Sequence, residues 1–312
     1  MKLLSLRIHP RSSALSVVGF CLWLLFGATL RAETLTVATY NLENYGPANR
    51  VTEMGYRQDY PKPESEKRAL RTVVVALNAD ILVVQEMGPR PFLEELRRDL
   101  KNAGIDYPHA VLLDGPDVDR HVALLSKRAP KSVVPHADLE FSYFGVKEKV
   151  KRGLLEATFA TEAGDLTIFA VHLKSRFTDR ADDPQSAIRR AGEATAVRDC
   201  VLKKFPDPAT ARFLIAGDCN DGKTSKAIQH LAQRGKTIVS ELVPAGDSRG
   251  EVWTHCYRKE ETYTHVDSVL VSPALRAAVS GGVAKIYDGP AVTEASDHRP
   301  VVVTLTWGAP QR

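Results

Sequence analysis

Six apolar, strand-like runs in this chain end in a carboxylate, a carboxamide or an imidazole. They are Thr34–Asn41 running into Glu43, Ala79–Glu86, Leu166–His172, Arg212–Asp218 with Asn220, His265–Val271 around Asp267, and Ser296-Asp297-His298 leading into Pro300–Leu305. Ionisable groups at so many strand ends add nothing to a core and cost desolvation, so a shared site explains them better than packing does. Such a site would be acidic, rich in oxygen donors and flanked by imidazoles. Its chemistry would be cation binding combined with proton transfer.

Two of these strings carry the most information. Gly217-Asp218-Cys219-Asn220-Asp221 follows a buried strand, and the two-residue period sends Asp218 and Asn220 to one side and Cys219 to the other. A carboxylate there takes a metal or a proton, and a carboxamide donates to a phosphoryl oxygen. An Asx-rich turn capping a helix near Lys223 accounts for Asp221 equally well. In Ser296-Asp297-His298 the acid and the imidazole face opposite ways on a strand, so each needs its own partner. Asp297 is placed to meet a metal, and Asp267 is the candidate to orient His298, unless it pairs with a surface cation instead. His172 is either a satisfied core histidine or a site residue. Lys174 and Arg176 follow at two-residue spacing, as a phosphate grip or as a solvated basic strand end.

Stepping along the chain, residues 34–40 read as a strand that would project Asn41 and Glu43 together if it continued to its end. Residues 64–78 read as a helix after the Pro-containing loop 60–63, and 79–85 as a strand buried on both faces. Residues 89–103 form a further helix stopped by Gly104, and 184–204 and 224–234 are also helical. Strands are expected at 106–113, 121–126, 154–161 and 166–173, the last two joined in a hairpin through Ala163-Gly164-Asp165, then at 212–216 and again beyond Thr262. Interior helices with mostly paired strands argue for packed sheets with helices outside.

The first 32 residues read as an export signal. Lys2, Arg7 and Arg11 start it, 14–30 is apolar, and Leu30-Arg31-Ala32 offers a cleavage point, an uncleaved anchor being the alternative. Subtracting its four basic residues leaves 38 Lys+Arg against 38 Asp+Glu. A neutral mature chain excludes a strongly basic, sequence-indifferent nucleic-acid binder and leaves room for a local basic surface. Residues 33–312 suffice for one large domain. Cys21 lies in the signal, and Cys200, Cys219 and Cys256 permit at most one disulfide; no CxxC or Cys/His spacing suggests zinc.

Taken together, Tyr40-Asn41-Leu42-Glu43, Val84-Gln85-Glu86, Val171-His172-Leu173-Lys174-Ser175, Gly217-Asp218-Cys219-Asn220, Val266-Asp267 and Ser296-Asp297-His298 resemble the endonuclease/exonuclease/phosphatase superfamily. That is the fold shared by DNase I, class II apurinic endonucleases, neutral sphingomyelinases and inositol polyphosphate 5-phosphatases. The resemblance spans nearly all of 33–312 and implies an α/β fold, a four-layer sandwich of two face-to-face mixed sheets flanked by helices. Carried onto matching positions, it implies Glu86 as the principal ligand of Mg²⁺ or Mn²⁺, with Asn41, Glu43 and Asp297 nearby. It implies His298, oriented by Asp267, as general base or phosphate polariser, Asp218 placing the attacking water, Asn220 holding a phosphoryl oxygen, and His172 binding phosphate or protonating the leaving oxygen. Glu86 as a cap before Pro89 and Asn41 as a strand-ending turn are the bland alternatives. In the DNase I branch the histidine equivalent to His172 pairs with a glutamate that has no evident counterpart here.

Arg120 and His121 occupy a stretch where relatives place substrate-contacting groups, and Arg152 is similar, although all read equally as ordinary loop charges. Trp253 and His255 are candidates to stack on a base or sugar, with a packed tryptophan the alternative. The expectation is an exported, monomeric, metal-dependent phosphodiesterase acting on DNA or RNA, without stable membrane insertion once the signal is cleaved. A phospholipid or phosphomonoester hydrolase with the same metal centre is the runner-up. A sphingomyelinase would show an exposed apolar hairpin, and Phe141-Ser142-Tyr143-Phe144 is the sequence's sole aromatic cluster near such a position. A non-catalytic binding domain is the third class, and the full set of site residues argues against it.

Overall fold

The computed structural model describes residues 33–52, 54–178 and 180–307; the segment read as an export signal, with the expected cleavage point and Cys21, lies outside the described residues. The chain's binary pattern builds two sheets. Strand Glu33–Tyr45 pairs parallel with Ile81–Met87 and antiparallel with Val301–Trp307, in a seven-stranded sheet. Gly164–His172 pairs antiparallel with Leu154–Thr161 and parallel with Phe213–Asp218, which in turn pairs antiparallel with Asp267–Val271, in a six-stranded sheet.

Alternation explains why these sheets stack. On Glu33–Tyr45, Leu35 and Val37 face inward, while Ala38, Tyr40 and Leu42 face the helices. The inward residues of both sheets (Ile81, Val83, Ile168, Ala170, Leu214, Ala216, Val269) form one apolar layer. Helices Glu64–Leu77 and Arg90–Asn102 cover the outer face of the first sheet, and Ala187–Lys204 and Lys226–Ala232 that of the second. The result is the four-layer sandwich expected from the sequence.

Several local expectations change. The helix anticipated over 184–204 breaks at Gln185 and Ser186, both with positive φ, and restarts as Ala187–Lys204, its first turn capped by Asp183 accepting from the Ile188 and Arg189 N–H groups. The helix expected over 224–234 ends at Ala232, where Gln233 turns extended and opens a small hairpin. Polar hairpin segments gave no apolar period to read, so Ala48–Thr52 with Gly55–Tyr60, and Glu140–Tyr143 with Val146–Lys149, appear only in the structure. The aromatic cluster at 141–144 is no membrane hairpin: Phe141 and Tyr143 are buried in a small cluster with Ala196 of helix Ala187–Lys204. Cys200, Cys219 and Cys256 are all free, and Cys219 is buried on the helix side of its sheet.

Candidate active site

The inner faces of the central strands turn polar toward one end of the sandwich. Thr39 and Gln85 follow the apolar residues and hydrogen-bond each other across the parallel pair at 3.0 Å. One step further lie Asn41, Glu86, His172, Asp218 and Asp267. Register makes this convergence obligatory: Asn41 opposes Gln85, His172 opposes Asp218, and Asp218 opposes Asp267. Five strand ends therefore share one location, the two sheets meeting where Asn41 Nδ2 donates to Asp218.

The backbone leaves regular strand geometry there. Glu43, Asn44, Glu86 and Asn220 all have positive φ, between 48° and 58°. Continued alternation would send Glu86 to the helix side with Val84; its left-handed conformation redirects it into the cavity instead. Gly217 precedes Asp218 at φ 153°, and a Cβ there would meet the Val171 carbonyl oxygen at 1.9 Å. Only glycine lets these two strands approach this closely just before Asp218.

Asp218 is the hub of the hydrogen bonds. It accepts from Asn41 Nδ2 at 3.0 Å, from the Asn220 N–H at 2.7 Å and from Asn220 Nδ2 at 3.1 Å. Burial, reinforced by the charge of Asp267, pushes its carboxyl up to about 7. His298 Nδ1 lies 2.8 Å from Asp267 Oδ2. Burial alone would lower the pKa of His298, but Asp267, Asp218 and Asp297 raise it well above the ordinary value, so the ring is an imidazolium at neutral pH. Burial likewise opposes ionisation of Asp297, yet the His255 and His298 imidazoles hold its carboxyl down at about 2.

A cavity of about 560 Å³ opens on this group, lined by Glu86, Asp218, Asn220, His255, Asp297 and His298 on its floor and by Arg176, Phe177 and Tyr257 nearer solvent. The expected residues do not all reach it. Asn41 and Asp267 sit behind Asp218 and His298. His172 is 1 % exposed, with Nε2 3.6 Å from Asp218 and 4.0 Å from Glu86. Burial, then the charges of Arg152, His298 and Arg120, lower its pKa well below the ordinary value, so it is neutral. Glu43 is turned to a neighbouring cavity: its carboxylate accepts from the Asp297 N–H at 3.0 Å and pairs with Arg258 at 3.5 Å, while its own N–H donates to Asn41 Oδ1. The expectation that Asn41 and Glu43 project together fails because the positive φ at Glu43 breaks the alternation.

Among the basic candidates, Arg176 lines the cavity, whereas the Lys174 ammonium is tied to Ser175 and to the Phe177 carbonyl of its own loop. Arg120 anchors through its N–H to Asp117 and does not line the cavity. Arg152 is no loop charge but is buried against Asp117 at 3.1 Å. Trp253 is packed under the Arg299 guanidinium, 3.5 Å from the ring centroid.

Other positioning residues carried no sequence signal. Thr254 Oγ1 accepts from the Val266 and Asp267 N–H groups at 3.0 Å, and Ser296 Oγ donates to the Asn41 carbonyl at 2.8 Å, clamping the last strand to the first. Buried Glu193 accepts from the Lys151 and Lys174 N–H groups, fixing the loop behind His172 from the middle of a helix.

The pattern describing the Endonuclease/Exonuclease/phosphatase family matches residues 38–298. No curated protein sequence matches significantly. Among solved structures, a Staphylococcus aureus beta toxin mutant with bound magnesium ions is similar at TM-score 0.60 and 17% identity, covering 87% of this chain and 99% of that one. Sphingomyelinase C from Streptomyces griseocarneus gives TM-score 0.59 and 16% identity over 88% and 99%. The human Nocturnin catalytic domain with bound sulfate gives 0.58 and 14% over 88% and 96%. At these identities the likeness carries the fold alone.

Proposed function

The chain belongs to the endonuclease/exonuclease/phosphatase family, and from that premise we propose that it is an exported, divalent-metal-dependent phosphodiesterase that hydrolyses nucleic acid. The observation that carries this reading is the Asp267–His298 pair at 2.8 Å set beside Asp218, with Glu86 lining the same cavity. Export rests on residues 1–32 of the sequence; no helix among the described residues is long and apolar enough to cross a membrane.

The residues present fit a hard divalent cation. Glu86 and Asp297 offer carboxylate oxygens on the cavity, Asp267 Oδ1 is buried with no hydrogen-bond partner, and burial followed by the charge of Asp267 raises the pKa of Asp218. Glu86 and Asp297 would hold Mg²⁺ or Mn²⁺, while Asn41 Oδ1 accepts the Glu43 N–H. When bound, the ion neutralises phosphate charge as a Lewis acid.

The chain's own groups divide the remaining work. Asp218, with a carboxyl near 7 and a cavity-facing position, takes the proton of the attacking water. His298, whose charged form Asp267 favours, polarises a phosphoryl oxygen. Asn220 spends its amide on Asp218 and the Leu173 carbonyl, which makes it a positioning residue for the base. Buried His172 acts the same way beneath Glu86 and Asp218.

Nucleic acid is favoured by the cavity's rim. Phe177, 82 % exposed, lines this cavity together with the exposed Tyr257 and Arg176. Aromatic platforms beside a cation suit a polyanion with stackable bases. A second reading, a lipid phosphodiester, is favoured by the hairpin 48–60, which presents Val51 at 85 %, Met54 at 79 % and Tyr56 at 58 % exposure.

Plasmid DNA, RNA, sphingomyelin vesicles and bis(p-nitrophenyl) phosphate, each with Mg²⁺, Mn²⁺ or chelator, separate these readings. Nucleic-acid cleavage lost with chelator and in Glu86→Gln is the expected result. Turnover of sphingomyelin alone, lost when Val51, Met54 and Tyr56 become serine, moves the assignment to the lipid. No turnover of any ester overturns the phosphodiesterase reading.

A further inference from the structure

We propose that His255, Asp297 and His298 form a nitrogen-bearing cation site, overlapping the oxygen donors around Glu86 at Asp297, that takes Zn²⁺ and related transition ions in preference to Mg²⁺. His255 Nε2 lies 3.6 Å from Asp297 Oδ2, and His298 Nε2 lies 3.9 Å from Asp297 Oδ1. All three donor atoms fall within 4.8 Å of one another. Ligands of a tetrahedral zinc ion with bonds of ~2.0–2.1 Å stand roughly 3.3 Å apart, so side-chain adjustments of up to about 1.5 Å close the set.

The site is built by backbone. His255 and His298 oppose each other in an antiparallel β-bridge, and the Cys256 N–H donates to the Asp297 carbonyl at 2.9 Å. Directly opposed residues project to the same side, which brings the ring centroids to 4.6 Å. Each ring is also held by its other nitrogen. His298 Nδ1 is bonded to Asp267, and His255 Nδ1 lies 3.3 Å from Thr264 Oγ1. Both Nε2 atoms are thereby left facing Asp297, the arrangement in which an oxygen partner fixes a metal-binding imidazole.

Two imidazoles and one carboxylate suit Zn²⁺, Co²⁺, Ni²⁺ or Cu²⁺, whereas Mg²⁺ prefers oxygen alone. An ion held here displaces the Nε2 proton of His298, releases it to solvent and occupies that nitrogen, so it shuts off hydrolysis reversibly. That consequence rests on the function proposed above, but the binding itself does not.

The test compares the purified protein with His255→Ala, His255→Asn and, as a control outside the site, His265→Ala. Zn²⁺ affinity is read by competition with a chromogenic chelator in excess Mg²⁺, and coordination by the visible spectrum of the Co²⁺ form. We expect both His255 variants to bind Zn²⁺ at least about tenfold more weakly and to lose the intense absorption of four-coordinate Co²⁺. His265→Ala retains both. The Zn²⁺ concentration that halves Mg²⁺-supported turnover should rise by the same factor. Unchanged affinity in both His255 variants overturns the proposal, placing the ion at Asp218, Asp267 and His298 or at Cys200 and His136. Zn²⁺ binding that depends on His255 yet leaves turnover intact upholds the site and removes His298 from the reaction.

Discussion

Asp267–His298 and Glu156–His136 are carboxylate–imidazole pairs of almost equal length, 2.8 and 2.9 Å, each beside a cavity. Their surroundings differ. Around His298 stand Asp218 and Asp297, so negative charge is in surplus and the ring is driven to its cationic form. The other oxygen of Glu156 is bound by the Lys204 ammonium, which neutralises the acid locally. Cys200 Sγ, 3.7 Å from His136 Nδ1, completes what looks like a nucleophile, base and orienting acid. Yet burial, with Glu156 adding to it, pushes that thiol up to about 11, and an un-ionised thiol is a poor nucleophile. The lesson is that such a pair acquires chemistry from uncompensated charge and converging donors, and its hydrogen bond alone is uninformative.

The sharpest way to break this comparison is to remove each imidazole. His298→Ala should lower phosphodiester turnover by about a thousandfold, measured with bis(p-nitrophenyl) phosphate at saturating Mg²⁺. Equal losses in His136→Ala would refute the distinction.

Neutralising the surplus charge sharpens it. Asp218→Asn should cost about a hundredfold or more in kcat while raising the melting temperature of the metal-free protein. A carboxyl moved from 3.8 to about 7 is destabilised, when ionised, by up to about 4 kcal/mol. That destabilisation already includes the attraction to His298; the variant loses hydrogen bonds that the second carboxylate oxygen accepts from Asn41 or Asn220, which leaves a net gain of about 1 kcal/mol. Because the folded pKa is raised, wild type recovers stability by binding a proton as pH falls from about 7 toward 4. The variant's advantage should therefore be full above pH 7 and fade on acidification; an advantage independent of pH would show that Asp218 is not the strained group.

Smaller effects test the rims. Phe177→Ala should raise KM for single-stranded nucleic acid by about tenfold and leave bis(p-nitrophenyl) phosphate unaffected; no change on either substrate would remove the stacking surface from the argument. His136→Ala should change turnover by less than about twofold and cost about 1 kcal/mol of stability, read by urea denaturation. A large catalytic loss there would place the second pair in the function after all.

Much of this was legible along the chain. Alternation grouped one face of residues 34–40, the apolar run 79–85 read as a strand buried on both faces, and the strand-ending polar residues announced a shared site. What alternation could not carry was its own interruption. Glu43, Glu86 and Asn220 take positive φ, a choice set by neighbouring strands and turns, so Glu43 left the cavity and Glu86 entered it. Thr254 and Glu193, and the role of Ser296 within its motif, were illegible for another reason: their value lies in one or two hydrogen bonds to distant backbone, which leaves no local period or composition to read.

Residue types and the two-residue period, both local properties, were enough to indicate packed sheets with helices outside and polar strand ends sharing a site, and the family resemblance added the four layers and the expected donors. Tertiary structure alone decided their charge states and company. Desolvation and Coulomb interactions depend on which strands become neighbours, and only the folded sheets bring Asp218 against Asp267 and His255 against His298.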